Sequence, residues 1–84
     1  MTRRWWVVTP EFPYTEVISW EIGGPTYDIH DVIEVEATTR REAILVGVNA
    51  MLADQSRFSW VHYRRSDKMN PFAGVKAYLD GEGE

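Results

Sequence analysis

Trp5-Trp6-Val7-Val8 is a run of aromatic and β-branched residues, and it predicts a first strand. Thr9 to Tyr14 holds Pro10 and Pro13, which predicts an extended loop. Glu16 to Ile22 then alternates: Ile18, Trp20 and Ile22 share one face of a second strand, with Val17, Ser19 and Glu21 on the other. Gly23-Gly24-Pro25 reads as a turn, so the next strand should return antiparallel. From Tyr27 to Ala37, Tyr27, Ile29, Ile33, Val35 and Ala37 share one face, with Asp28, His30, Glu34 and Glu36 opposite. Asp31 and Val32 break this alternation, which requires either a bulge or two short strands.

The pattern changes period after Ala37. Thr39 followed by Glu42 is a capping box, with Thr38 as a competing N-cap, and the helix should run to about Ala53 or Gln55. At about 100° per residue, Ile44, Leu45, Val48, Met51 and Leu52 form one stripe. Ala43, Val46, Ala50 and Ala53 form an opposite, mostly small-residue stripe where a surface helix usually carries charge. This back is either an innocent Ala-rich surface or is covered by the N-terminal segment, a second subunit or a target.

Phe58 to Arg64 alternates again and predicts a strand, and Gly74 to Leu79 offers a last edge strand. The order β-β-β-α-β-(β) predicts an α+β domain with a mainly antiparallel sheet of four to five strands on one central helix. The helix stripe is expected to pack on Ile18, Trp20, Ile33 and Val35. Residues 80–84 form an acidic tail expected to fray.

Composition narrows the function classes. A chain of 84 residues implies a single domain, which buries only about 60–65% of its unfolded surface. With no cysteine it has neither a disulfide staple nor a thiolate zinc site, so a cytoplasmic setting is the default and packing or oligomerisation must supply stability. The net charge of −4 favours solubility and disfavours phosphate binding. The apolar run Trp5–Val8 stops at Thr9-Pro10, too short for a signal segment or membrane span.

Candidate chemistry is thin. His30 with Asp28, Glu34 and Glu36 superficially resembles a metal cluster, but alternate positions on a strand lie about 7 Å apart and another strand would have to complete it. A solvated polar sheet face is the simpler reading. No serine occupies a Gly-flanked elbow, and Gly23-Gly24-Pro25 lacks the spacing of a phosphate loop. No metal, cofactor or catalytic residue is assigned, and an enzyme is not expected.

Two kinds of surface residue remain. Arg3, Arg4, Trp60, Tyr63, Arg64 and Arg65 combine bases with aromatics, as in single-strand nucleic-acid binders. The competing reading makes the aromatics core and the arginines edge-strand charges, and the net negative charge favours it. Met69, Pro71 and Phe72 are apolar residues in a polar loop, either folded over the core or exposed as partner anchors. Phe12, Pro13 and Tyr14 pose the same choice.

The segments Glu34–Ala43 and Asn70–Ala77 resemble a class of small uncharacterised proteins encoded by phages of actinobacteria. The pattern of the first segment is a strand ending in Val-x-Ala, then a Thr/Arg helix start, then Glu-Ala; the resemblance covers roughly the C-terminal two-thirds of the chain. It brings no activity and no functional residues. It implies a small accessory viral product acting in the host cytoplasm by binding something. The sequence therefore predicts a non-enzymatic interaction protein that binds a host or viral protein and self-associates as a homo-oligomer, through Ala43, Val46, Ala50, Ala53, Met69, Pro71 and Phe72. The alternative is a nucleic-acid-binding module built on residues 3–6 and 60–65.

Overall fold

The computed structural model describes residues 1–16, 18–19 and 23–81. The elements in chain order are β1 (Arg3–Val8), β2 (Phe12–Thr15), β3 (Thr26–Ile29), β4 (Val32–Ala37), α1 (Arg40–Ala53), α2 (Ser59–Ser66) and β5 (Lys76–Leu79). The fold is α+β with antiparallel sheets, as the pattern predicts. It departs from the prediction in having two helices, and in dividing its strands between a three-stranded sheet, ordered β4-β1-β5, and a separate β2-β3 hairpin.

β1 is the central strand because it is the apolar one. Trp5 lies opposite Val35 and Leu79, and Val7 lies opposite Ile33 and Ala77. Trp5 and Val7 turn inward with Val35, Ala37 and Ala77 to meet α1, and Phe58, Val61 and Val75 close the core. The Trp5 indole donates to the Ala37 carbonyl at 3.0 Å, so its buried N–H is satisfied.

The start of α1 follows the sequence closely. Thr39 is the N-cap, with its hydroxyl accepting from the Glu42 backbone N–H at 3.1 Å. The Glu42 carboxylate accepts from the Thr38 hydroxyl, so both threonines contribute to the cap. The helix faces, however, differ from the expected stripes. The buried residues are Ala43, Gly47, Val48 and Met51, while Leu45 faces outward, 46% exposed. Gly47 sets this rotation. A Cβ there would lie 2.7–2.8 Å from the Val7 side chain, so the absent side chain lets α1 approach β1 closely.

Three further expectations change. Phe58 to Arg64 is a helix, not a strand. Phe58 adopts a left-handed conformation (φ 63°) that breaks the chain direction, and Val61 turns into the core from the helix that follows. Arg64 and Arg65 sit in its last turn, where positive charge is favourable. Phe12 to Thr15, expected to be loop, is instead the strand that pairs with Thr26–Ile29. Of the predicted strand Glu16–Ile22, Ile18 and Ser19 belong to no strand, Ile18 is 68% exposed rather than under the helix, and Val17, Trp20, Glu21 and Ile22 lie outside the described residues.

The break near Asp31 resolves into two strands in different sheets. Thr9 N–H donates to the Asp31 carbonyl at 3.0 Å, and Asp31 N–H donates to Thr9 Oγ1 at 2.9 Å. Thr9 is buried at this junction, where the hairpin leaves the main sheet. At the other terminus, Asp80 is tied to the body by accepting from the Trp6 indole at 3.2 Å and by donating its own N–H to the Arg4 carbonyl at 3.0 Å. Fraying therefore does not begin at Asp80, and residues 82–84 lie outside the described residues.

Candidate interaction surface

The β2-β3 hairpin projects from the body. Only Phe12 and Ile29, at its base, are half-buried; Pro13, Tyr14, Thr15, Thr26, Tyr27 and Asp28 are exposed. The Cα radius of gyration is 14.6 Å, against about 12 Å for a compact chain of this length. Cross-strand contacts hold the arm together: Thr15 and Thr26 hydroxyls bond at 2.7 Å, and the Tyr14 and Tyr27 rings lie 6.0 Å apart. The Tyr27 phenol donates to Glu16 at 3.3 Å; desolvation, followed by the charge of Glu16, raises its pKa above the ordinary tyrosine value.

The hydrogen-bond alternation of β2 fixes its free edge. Glu16 N–H donates to the Pro25 carbonyl, so Tyr14 and Phe12 also pair inward with β3, while Pro13 and Thr15 face away from it. Pro13 stands where no ladder donor is needed, which reconciles a proline with a strand.

Between β2 and α2 lies an open groove of about 520 Å³, lined by Phe12, Pro13, Tyr14, Thr15, Ser59, Trp60 and Tyr63. The Phe12 and Trp60 rings stack, 6.0 Å apart at 28°, and the Arg64 guanidinium covers Trp60 at 4.8 Å from the ring centre. Arg64 is held there by donating to the Asn70 carbonyl at 2.9 Å. The Trp60 indole N–H is buried and has no hydrogen-bond partner among the described residues. Tyr63 is 68% exposed on the groove wall. The lining is aromatic and aliphatic apart from the Thr15 and Ser59 side chains, which suits the holding of apolar groups rather than proton transfer.

A second concavity, about 510 Å³, lies between Val8, Thr9, Pro10, Glu11, His30, Gly74, Lys76 and Tyr78. It contains His30, but among the described residues no three His, Cys, Asp or Glu side chains converge to hold a metal ion.

The predicted interaction residues separate on the structure. Ala43 is fully buried in the chain's own core and is unavailable to a partner. Ala50 is half-buried, while Val46 and Ala53 are exposed. The outward apolar face of α1 is therefore Leu45, Val46 and Ala53, rotated from the expected stripe. Phe72 packs against the core, Pro71 is half-buried and Met69 is exposed. Of the basic-aromatic residues, Trp60, Tyr63 and Arg64 gather on α2 with Arg65, whereas Arg3 and Arg4 lie on β1, where Arg4 pairs with Glu34 at 3.1 Å and lies 3.9 Å from Asp80. The pairing of Phe12 and Tyr14 with Trp60 and Tyr63 is not readable from the sequence, since it depends on an unpredicted strand meeting an unpredicted helix.

No protein family, curated protein or solved structure matches the chain. Among the described residues no helix is long and apolar enough to cross a membrane.

Proposed function

We propose that this protein is a non-enzymatic protein-interaction module whose docking surface is the groove between β2 and α2. The observation that carries this reading is the convergence of Phe12, Tyr14, Trp60 and Tyr63 along one open apolar groove at the base of an exposed arm. Aromatic side chains give large contact area at low entropic cost and dominate binding energy at protein interfaces. On the resemblance to actinobacterial phage products, the partner is a host or viral protein met in the host cytoplasm.

Capture of partners from lysate tests the reading. Wild type retains a specific protein, Tyr63→Asp loses it, and Val46→Glu on the outer face of α1 keeps it. Loss with Val46→Glu and retention with Tyr63→Asp would transfer the function to α1.

A second reading has one observation in its favour: Arg64 stacked on Trp60, with the exposed Tyr63 on the same helix, is an arrangement on which a single-stranded base can stack. It requires binding that weakens steeply with salt. Absence of a mobility shift with single- and double-stranded probes at low salt removes it.

A further inference from the structure

We propose that the outer edge of β4 is a docking site for an extended segment of another protein, with basic residues at alternate positions, which adds a strand to the three-stranded sheet. This surface is separate from the groove and does not rest on its reading.

The ladder fixes which backbone groups of β4 face outward. Thr9 N–H donates to the Asp31 carbonyl, so Val7 with Ile33, Trp5 with Val35 and Arg3 with Ala37 exchange the bonds between β1 and β4. The N–H and C=O groups of Val32, Glu34 and Glu36 therefore point away from β1, and among the described residues none of them has a backbone partner. All three residues are exposed. Such a row of unpaired donors and acceptors is a template for another strand.

The other described edges are blunted. β2 turns Pro13 outward, away from β3. β3 and β5 are each four residues long, and on β5 the Arg40 guanidinium donates to the Ala77 carbonyl. β4 runs for six residues without proline, glycine or lysine, in unbroken register with β1.

Charge on this edge selects the partner. Arg4 pairs with Glu34 at 3.1 Å and lies 3.9 Å from Asp80, and among the described residues Glu36 has no cation within ion-pair distance. Glu34 and Glu36 share one face of the strand, so a residue added opposite either one stands within reach of its carboxylate. Like charges placed directly opposite are destabilising. In the registers that pair most of the strand, the β4 of a second copy would set its own Glu34 or Glu36 opposite Glu34, so a second copy is turned away. Lysine or arginine at those positions neutralises both carboxylates, and apolar residues between them lie beside Ile33 and Val35. The carboxylates thus guard the edge against acidic strands and leave it open to basic ones.

The experiment is amide hydrogen exchange read by NMR, with a synthetic peptide in which lysine alternates with valine as the probe. In the protein alone the amides of Val32, Glu34 and Glu36 should exchange fast and those of Ile33 and Val35 slowly. Excess peptide should slow Val32, Glu34 and Glu36 selectively, and the effect should weaken as salt rises. Glu34→Lys/Glu36→Lys should weaken binding of this peptide by about tenfold or more and favour the same peptide with glutamate in place of lysine. Glu34→Pro removes one outward N–H without touching the ladder to β1, so it should abolish the protection with circular dichroism unchanged. Fast exchange at all three amides in excess peptide overturns the proposal. Equal protection by the glutamate peptide overturns the basic partner. Protection that grows with protein concentration alone puts a second copy on the edge and overturns the proposal as well.

Discussion

The Asp31 carboxylate accepts a hydrogen bond from the Trp60 backbone N–H at 3.2 Å, across 29 positions of sequence. It supplies from the sheet junction the cap that α2 lacks locally, since Phe58 at the N-cap makes no side-chain cap bond. The same residue's backbone bonds to Thr9 at the base of the arm. Asp31 therefore joins the arm, the main sheet and the helix that forms the other wall of the groove. Asp31→Ala should cost about 1 kcal/mol, the usual value of a lost cap. Asp31→Asn, which keeps an acceptor oxygen, should cost less. Urea midpoints at constant m-value measure both.

Gly47→Ala should destabilise the protein, although alanine is the better helix former by about 1 kcal/mol. The new Cβ would meet three atoms of the Val7 side chain at 2.7–2.8 Å, and these belong to a short, stiff residue on the central strand. Overpacking of this kind costs about 1–3 kcal/mol. Thermal unfolding of Gly47→Ala checks it, and a midpoint at or above that of wild type would contradict the close approach of α1 to β1.

Thr39→Ala should cost about 1 kcal/mol by removing the side-chain acceptor for the Glu42 N–H. Equilibrium unfolding in urea is the appropriate readout.

The Asp54 pKa lies below the ordinary aspartate value, chiefly because the Ser56 hydroxyl and backbone N–H both donate to its carboxylate, at 2.8 and 3.1 Å. The sign follows from linkage. Ionised Asp54 stabilises the turn between α1 and α2 above its unfolded-state pKa, and that contribution is lost as pH falls through its lowered folded-state value. A carbon-detected NMR titration should find Asp54 ionising below a free aspartate. Asp54→Asn should remove this part of the acid dependence of stability.

What was legible in the sequence was local. Thr39 and Glu42 lie three positions apart, and the cap they announce is present. Val32 to Ala37 declares a strand through its own alternation. α2 was not legible because Trp60, Val61 and Tyr63 favour strands and alternate over a short span, while its helical state draws on the left-handed turn at Phe58 and on a carboxylate from Asp31. The signal was in view as a misfit: Asp31 is a polar residue on an apolar face, and it stands at the junction that the helix and the arm share. The buried face of α1 departs from the expected stripe for a similar reason. Gly47 counts as a weak helix residue in any local reading, yet it is the point of closest approach to Val7. The groove depends on both long-range effects, so the sequence displays Phe12, Tyr14, Trp60 and Tyr63 singly and does not bring them together.

The most direct test of the groove as the interaction surface is photocrosslinking in lysate from benzoylphenylalanine placed at Tyr63 in the groove and, separately, at Val46 on the outer face of α1. The expected result is a specific protein crosslinked from Tyr63 and none from Val46. No crosslinked protein from Tyr63, or one from Val46 alone, would contradict it.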